Sequence, residues 1–568
     1  MVARPVTQSA VTWFSHLVEA ERSGNVVNVQ RILQSALAER HTDANLFNEG
    51  GNILLRLGDA TSAAQWFDKA LRAEPARLDF AINTAIALSS SGEHRAALEC
   101  LIPFENVGKA SARYCSTRAK AYRGIRSLGE AAFWYDLALR LEPSRKIALH
   151  GRARTALERG EGDAVAWFDR ALIENSGDPH LWLGKAQALA AAGEAKSALQ
   201  IAESLARQVP QMIDALAFLA QLRREAGEEN FADHYDAAAR AVPGDFTIVE
   251  AHLGLLAACE EYEKAAILAE QGSKRFSGHQ LKCLQAGFLS ASGKLEDATR
   301  IFSALDDWSH PCSLEKSRHA LRCGDPKYAA ALLDAVLKED RWNQQAWALR
   351  LITWRLNHDA RISWLLQDGA LTQPVFLSDA EEIIGQTREV LDKLHDHSPF
   401  PVGQSLRGGT QTRGNLFDRF EEPIHRLKNA VQTAFESWRE ALPPYDPDHP
   451  LLRQRNAVWQ IEGSWSVRLQ EGGDYHASHI HPQGLVSSAL YLRVPDAVET
   501  DSDQAGWLEL GRPPKDLECD LAPIAMIQPR VGLCALFPSF LYHGTRPFSA
   551  GGRMSVAFDI STLRHEPR

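Results

Sequence analysis

Apolar residues in the first two thirds of the chain recur at spacings of three and four, the period of an amphipathic helix. Glycines interrupt that pattern on a regular beat. They stand at 24, 58, 92, 160, 193, 227, 293 and 324, with successive gaps of 34, 34, 68, 33, 34, 66 and 31 residues. The two double gaps hold Arg126 and Glu260 where a glycine is due. The beat therefore predicts about ten units of roughly 34 residues. One unit reads Leu57-Gly58-Asp59, Ala63, Phe67, Ala70-Leu71 and Pro75. The alanine five residues past the glycine returns as Ala97, Ala198, Ala232, Ala298 and Ala329. Small residues let two helices approach, bulky ones fill the space beside them, and glycine turns the corner between them. Each unit is expected to be a helical hairpin.

Near residue 370 the helical period is lost. The stretch QDGALTQPVFLSD brings in Gly and Pro. Helices are expected over Ala380–His395 and about 418–441, with HSPFPVGQSLRGGTQTRGNLF and ALPPYDPDHP as loops. From Val458 apolar and polar positions alternate, which is the period of a strand. Strands are expected over Val458–Leu469, Leu485–Val494, Trp507–Leu510, Ile524–Ile527, Leu533–Phe537 and Met554–Ile560. Short strands at that spacing argue for an antiparallel sandwich or barrel. Helices do not alternate with strands, which argues against a Rossmann or TIM arrangement.

Composition narrows the class. Lys and Arg total 62 against 72 Asp and Glu, a net charge of −10, so nucleic acid is not an expected partner. No run approaches about 18 uncharged apolar residues, so a membrane span is not expected. The N-terminus MVARPVTQSAVTWF lacks an uninterrupted apolar core, so a secretory signal is not expected. The eight cysteines are scattered and none forms a CxxC. Reduced thiols in a cytoplasmic protein are the expected state.

The unit pattern resembles the tetratricopeptide repeat, which has Gly, Ala, Phe or Tyr, Ala and Pro at these offsets. The resemblance covers about residues 10 to 345 and implies a superhelical solenoid whose groove takes a protein or peptide partner. No Lys/Arg cluster marks the groove.

Histidines crowd the β region. The segment Gly473-Asp474-Tyr475-His476-Ala477-Ser478-His479-Ile480-His481-Pro482 places His479 and His481 two apart, on one face of a strand. His543 lies 62 residues beyond His481, and Arg553 and Ser555 share a face ten residues after it. Two ligands from one strand and a third from a distant one can hold one face of an octahedral metal, as in non-haem Fe(II) oxygenases. A buried Arg with a hydroxyl beside it can bind a ligand carboxylate. His476 is expected beside the site rather than in it, and the Arg407–Thr412 loop near its mouth.

The segment from about 397 to 562 resembles a bacterial family of 2-oxoglutarate/Fe(II)-dependent oxygenases. The matching blocks are QSLRGGTQT (404–412), GSWSVRL (463–469), HIHPQGLVSSALYLRVP (479–495), GWLELGRPP (506–514), LFPSFLYHGTRPF (536–548) and RMSVAFDI (553–560). The resemblance implies a double-stranded β-helix, His479 and His543 as iron ligands, and Arg553 with Ser555 as the 2-oxoglutarate anchor. The wider superfamily has Asp or Glu where this chain has His481. Three completions stay open: His481 as third ligand, water, or a carboxylate such as Asp474 or Glu509. The expected architecture is multidomain α + β. It has a solenoid over 1–345, a helical linker over 346–400, and a jelly-roll, cupin-like domain with flanking helices over 401–568. The expected function is an Fe(II)-, 2-oxoglutarate- and O2-dependent dioxygenase that hydroxylates a protein or peptide side chain. Two alternatives remain: an adaptor with a catalytically degenerate domain, and a three-His metalloenzyme that does not use 2-oxoglutarate.

Overall fold

The glycine beat is a beat of left-handed turns. Gly24, Gly58, Gly92, Gly160, Gly193, Gly227, Gly293 and Gly324 all have positive φ, and Arg126 and Glu260 join them at φ 61°. A helix that must double back ends most readily in that conformation, which glycine adopts without a Cβ clash. The two substitutes hold the same turn at a cost of about 1 kcal/mol each. The alanines five residues on are buried against the partner helix.

A computed structural model describes residues 10–39, 43–470, 472–549 and 551–562. The first part of the N-terminal stretch judged not to be a signal, residues 1–9, lies outside the described residues. No helix among the described residues is long and apolar enough to cross a membrane. The chain forms two compact units, divided after Ala188. The first holds five helical hairpins between Ala10 and Glu174. Its core is alanine-rich, with Tyr114, Trp134, Tyr135 and Phe168 filling the gaps between close helices.

The second unit contains the remaining hairpins and all the described strands. Its strands are β1 (Val375–Phe376), β2 (Leu406–Arg407), β3 (Thr410–Gln411), β4 (Trp459–Leu469), β5 (Tyr475–His476), β6 (Val486–Arg493), β7 (Leu508–Leu510), β8 (Ala525–Ile527), β9 (Leu533–Pro538), β10 (His543–Thr545) and β11 (Arg553–Thr562). One sheet runs β1-β9-β6-β11-β4-β3, a second runs β10-β7-β8, and β2 pairs with β5. All pairs are antiparallel. The result is the curled antiparallel scaffold expected from the strand spacing. The long strands follow the sequence pattern to within a residue or two. The three-residue strands β7 and β8 were expected from their apolar runs, whereas β1, β2, β3, β5 and β10, of two or three residues among polar or glycine-rich neighbours, were not.

The large sheet is covered on one face by the helices Ala380–His395 and Glu422–Ala441. Ile384, Leu391, Leu427, Val431 and Phe435 pack there against Val486, Leu490, Val556 and Phe558. The small sheet has a different cover. Leu508, Leu510, Phe537, Phe540 and Leu541 share one core with Leu314, Leu333, Trp347, Leu351 and Trp354 from the last helical hairpins. Polar contacts follow the same seam. Arg322 donates to the Asp516 carbonyl at 2.7 Å and to its carboxylate at 2.6 Å.

His395 closes the first of these layers. It is 1% exposed. Its Nδ1 lies 2.9 Å from Thr410 Oγ1 and its Nε2 2.9 Å from Ser466 Oγ. Burial pulls its pKa from 6.5 down to about 4, and Arg468 adds to the effect. The unfolded chain therefore takes up this proton first as pH falls. The folded state loses about 1.4 kcal/mol of stability per pH unit between pH 6.5 and 4 through this one group. The slope should be shallower by that amount in His395→Gln, measured by urea unfolding at pH 7.0, 6.0 and 5.0.

Candidate metal centre

His479 and His543 are joined before any ligand arrives. The His479 N–H donates to the His543 carbonyl at 3.0 Å, and the His543 N–H returns a bond to the His479 carbonyl at 2.9 Å. This two-residue bridge extends the edge of β10. The ring centroids stand 4.2 Å apart. His481 follows two residues later, with its ring 5.0 Å from each of the other two. One ring nitrogen from each of His479, His481 and His543 lies within 4.8 Å of the others, the spacing of a metal site.

Each ring is oriented by its other nitrogen. His479 Nδ1 is 2.8 Å from the Ala477 carbonyl, and His543 Nδ1 is 3.0 Å from the Leu541 carbonyl. A carbonyl accepts only, so both rings carry their proton on Nδ1 and present a bare Nε2. His481 Nδ1 faces Asp559 Oδ1 at 2.6 Å, which orients that ring and directs its Nε2 toward His479. The Nε2 atoms of His479 and His481 are 3.1 Å apart. Two ring nitrogens that close can share a proton or bind one metal ion side by side, so the donor set fits a divalent metal. Burial and the neighbouring His481 pull the pKa of His479 down to about 3, and burial pulls that of His543 well below 6.5. Neutral imidazoles are the form that binds metal.

The carboxylates considered as third ligands are engaged elsewhere. Glu509 is gripped by Arg512 and Arg546, each at 2.7 Å. Asp474 accepts from the Gln470 N–H at 3.0 Å. His476 stands outside the trio, its ring 6.2 Å from that of His479, and its Nδ1 lies 3.2 Å from Ser405 Oγ.

Arg553 and Ser555 lie on β11 and are both buried. Arg553 is 3% exposed, yet no carboxylate pairs with it among the described residues. One Nη1 proton goes to the Gly506 carbonyl at 2.6 Å, and the guanidinium sits 5.3 Å from the Tyr491 ring. Among the described residues its Nε–H has no partner, and neither does the buried Tyr491 hydroxyl. Tyr491 is directly across from Ser555 in the β6–β11 ladder. An enclosed cation with spare donors around it suits an anionic ligand bearing a carboxylate.

Asp559 was not picked out from the sequence, and Tyr491 reads there only as core or pocket lining. Asp559 sits on β11 where the register with β4 shifts. Such bulges re-aim side chains. Its carboxylate also accepts from Ser487 Oγ at 3.1 Å. The signal was present: Arg553, Ser555 and Asp559 are all odd-numbered positions of one strand and share a face. Tyr491 carried no such signal, since an aromatic in a continuous apolar run reads as core.

A cleft of about 1010 Å³ opens over His479 and His481. Its lining includes Trp465, Arg407, Asp559, Pro482, Arg512 and Tyr262. Arg407 is therefore part of the cleft wall.

Residues 463–559 match the family described as "Putative 2OG-Fe(II) oxygenase". The match contains the three histidines, Arg553, Ser555 and Asp559. Protein FlbA of Caulobacter vibrioides is 24% identical over 223 residues, 39% of this chain and 37% of that protein. The match thus spans little more than a third of FlbA. Among solved structures, pilF of Pseudomonas aeruginosa is 20% identical and covers 36% of this chain and 95% of its own, with a TM-score of 0.31. A tetratricopeptide repeat protein of Parabacteroides merdae is 19% identical and covers 43% and 97%, with a TM-score of 0.32. The family match thus covers the strand-bearing segment, and the helical hairpins lie outside it.

Removing the partner of a metal-ligating imidazole typically weakens metal binding roughly 10- to 100-fold. Asp559→Ala should lower affinity for Co(II), followed by its visible absorption, by that factor. Unfolding by denaturant should stay cooperative.

Proposed function

We propose that the protein is an Fe(II)- and 2-oxoglutarate-dependent dioxygenase. It would hydroxylate a protein or peptide side chain, with the repeats up to about residue 345 recruiting the partner. The observation that carries this reading is Arg553, an enclosed guanidinium without a carboxylate, ten residues past His543 in the oxygenase-family segment. A dicarboxylate with a 2-oxo group meets two needs at once: one end can pair with a guanidinium and the other can chelate a metal.

In this reading His479, His481 and His543 hold the iron through Nε2. Arg553 and Ser555 receive the distal carboxylate of 2-oxoglutarate, and the Tyr491 hydroxyl supplies one more donor. Bound iron and 2-oxoglutarate supply the oxidising chemistry, in which O2 and 2-oxoglutarate become CO2 and succinate while one oxygen atom enters a C–H bond of the substrate.

The protein's own residues do the rest. The Ala477 and Leu541 carbonyls hold the His479 and His543 rings in the tautomer that leaves Nε2 bare. Asp559 orients the His481 ring and raises its basicity. Three neutral imidazoles leave the metal charge uncancelled, which favours a dianionic co-substrate over a monoanion. Leu490, Val556 and Phe558 on the same strands are fully buried and keep water from the scaffold behind the site. His481 is favoured as third ligand by the 3.1 Å approach of its Nε2 to that of His479.

The test is succinate formation from 2-oxoglutarate by anaerobically prepared, Fe(II)-loaded protein after O2 is admitted. His479→Ala with His543→Ala should lose both metal and succinate. Arg553→Ala should keep its metal and lose 2-oxoglutarate binding by calorimetry. Turnover that survives Arg553→Ala would sink this reading.

A further inference from the structure

The cleft over the histidines has a wall that lies outside the oxygenase-family segment. Ala257, Ala258, Glu260 and Tyr262 line it from the turn between the helices Phe246–Ala258 and Tyr262–Ser273. Pro513, Pro514 and Lys515 form part of the same lining from the loop after β7. That loop is anchored to the hairpins by the bonds from Arg322 to Asp516.

The turn is fastened to the site by a short path. The Glu260 carboxylate accepts from the Arg407 guanidinium. Arg407 is on β2, whose Leu406 pairs with His476 of β5. The Ala477 N–H then donates to the Ser405 carbonyl at 2.9 Å, two residues before His479. Glu260 occupies a left-handed position that the repeat usually gives to glycine. Arg126 does the same and lines no part of the cleft, so backbone conformation alone distinguishes neither residue. The contact with Arg407 distinguishes Glu260.

The cleft is mostly neutral in effect. Glu260 is paired with Arg407, Glu509 with Arg512 and Arg546, Asp516 with Arg322, and Asp559 faces His481. Lys515 is the one lining cation with no ion pair among the described residues. Trp465, Tyr262, Pro482, Pro513, Pro514 and Pro547 supply flat apolar surface. Grooves of aromatic and proline side chains suit extended main chain, which brings little ordering cost with it. Glu260 has a side chain 56% exposed and can accept main-chain N–H groups, and the Tyr262 hydroxyl can donate or accept. The volume is at the top of the range of about 300–1,000 Å³ that small-molecule sites span, more than a free amino acid fills.

We propose that the site takes its substrate as an extended polypeptide segment with uncharged side chains, laid between the repeat turn 257–262 and the rim 512–516. Glu260 and Tyr262 are specificity-determining residues of that site. The inference rests on the reading of the centre as a 2-oxoglutarate oxygenase.

The test uses the full chain loaded with Fe(II), given 2-oxoglutarate, O2 and a synthetic library of ten-residue peptides. Each peptide is read by mass spectrometry for the gain of one oxygen atom, and succinate is measured in parallel. The wild-type protein should oxidise peptides lacking charge next to the modified residue. Glu260→Gln removes the ion pair at constant size, and Glu260→Gly restores the usual residue of the turn, so at least one keeps the fold. Both, and Tyr262→Ala, should raise KM for those peptides tenfold or more while kcat changes less than threefold. Unchanged KM in all three variants overturns the proposal. So does wild-type protein that makes succinate yet oxidises no peptide, or that prefers charged ones. Wild-type protein that makes no succinate at all overturns the underlying reading, and this inference with it.

Discussion

His479 and His543 exchange backbone hydrogen bonds across a narrow bridge, and the geometry of the centre depends on that exchange. The bridge fixes two ring nitrogens from distant parts of the chain at one place. His481 follows two residues on, outside any strand, and its ring meets the other two, with Asp559 of β11 behind it. Neither bridged histidine needs a metal to be positioned, so the ordering cost is met by folding. Each ring spends one nitrogen on a carbonyl or carboxylate and turns the other toward its neighbours. That division of labour makes three imidazoles converge where three charged ligands would repel one another.

The second constraint is electrostatic. A guanidinium as enclosed as Arg553 is expensive to bury, and its direct acceptor among the described residues is a backbone carbonyl. Other arginines of the unit have carboxylate partners: Arg322 with Asp516, Arg493 with Asp392, Arg512 and Arg546 with Glu509. Arg553 lies on the same strand as Asp559 and keeps donors to spare.

Much of this was legible in the sequence, for identifiable reasons. Long periodic elements declare themselves: the glycine beat, the alternation from Val458 onward, and the pairs His479/His481 and Arg553/Ser555 each reflect a geometric repeat. Two- and three-residue strands without an apolar run do not, which is why β2, β5 and β10 went unseen while β7 and β8 were expected. Asp559 was readable from its parity with Arg553 but looked like a strand-end acid. The contribution of Tyr262 and Glu260 to the cleft was out of reach. It depends on how helices and sheets pack across hundreds of residues, and no local pattern encodes that. Glu260 appeared only as a missing glycine.

The shared core of the last hairpins and the small sheet has a consequence for inheritance. Modular proteins commonly diversify by exchanging whole domains at linkers. Here a crossover near residue 345 would strip Phe540 and Leu541, three and two residues before His543, of Leu314, Leu333 and neighbouring cover. It would also remove the turn that bears Glu260. Recombinants could lengthen, shorten or replace the array freely only on its N-terminal side. The final hairpins must travel with the strand-bearing domain as one heritable block, so the boundary that matters to descent falls inside the repeats rather than after them.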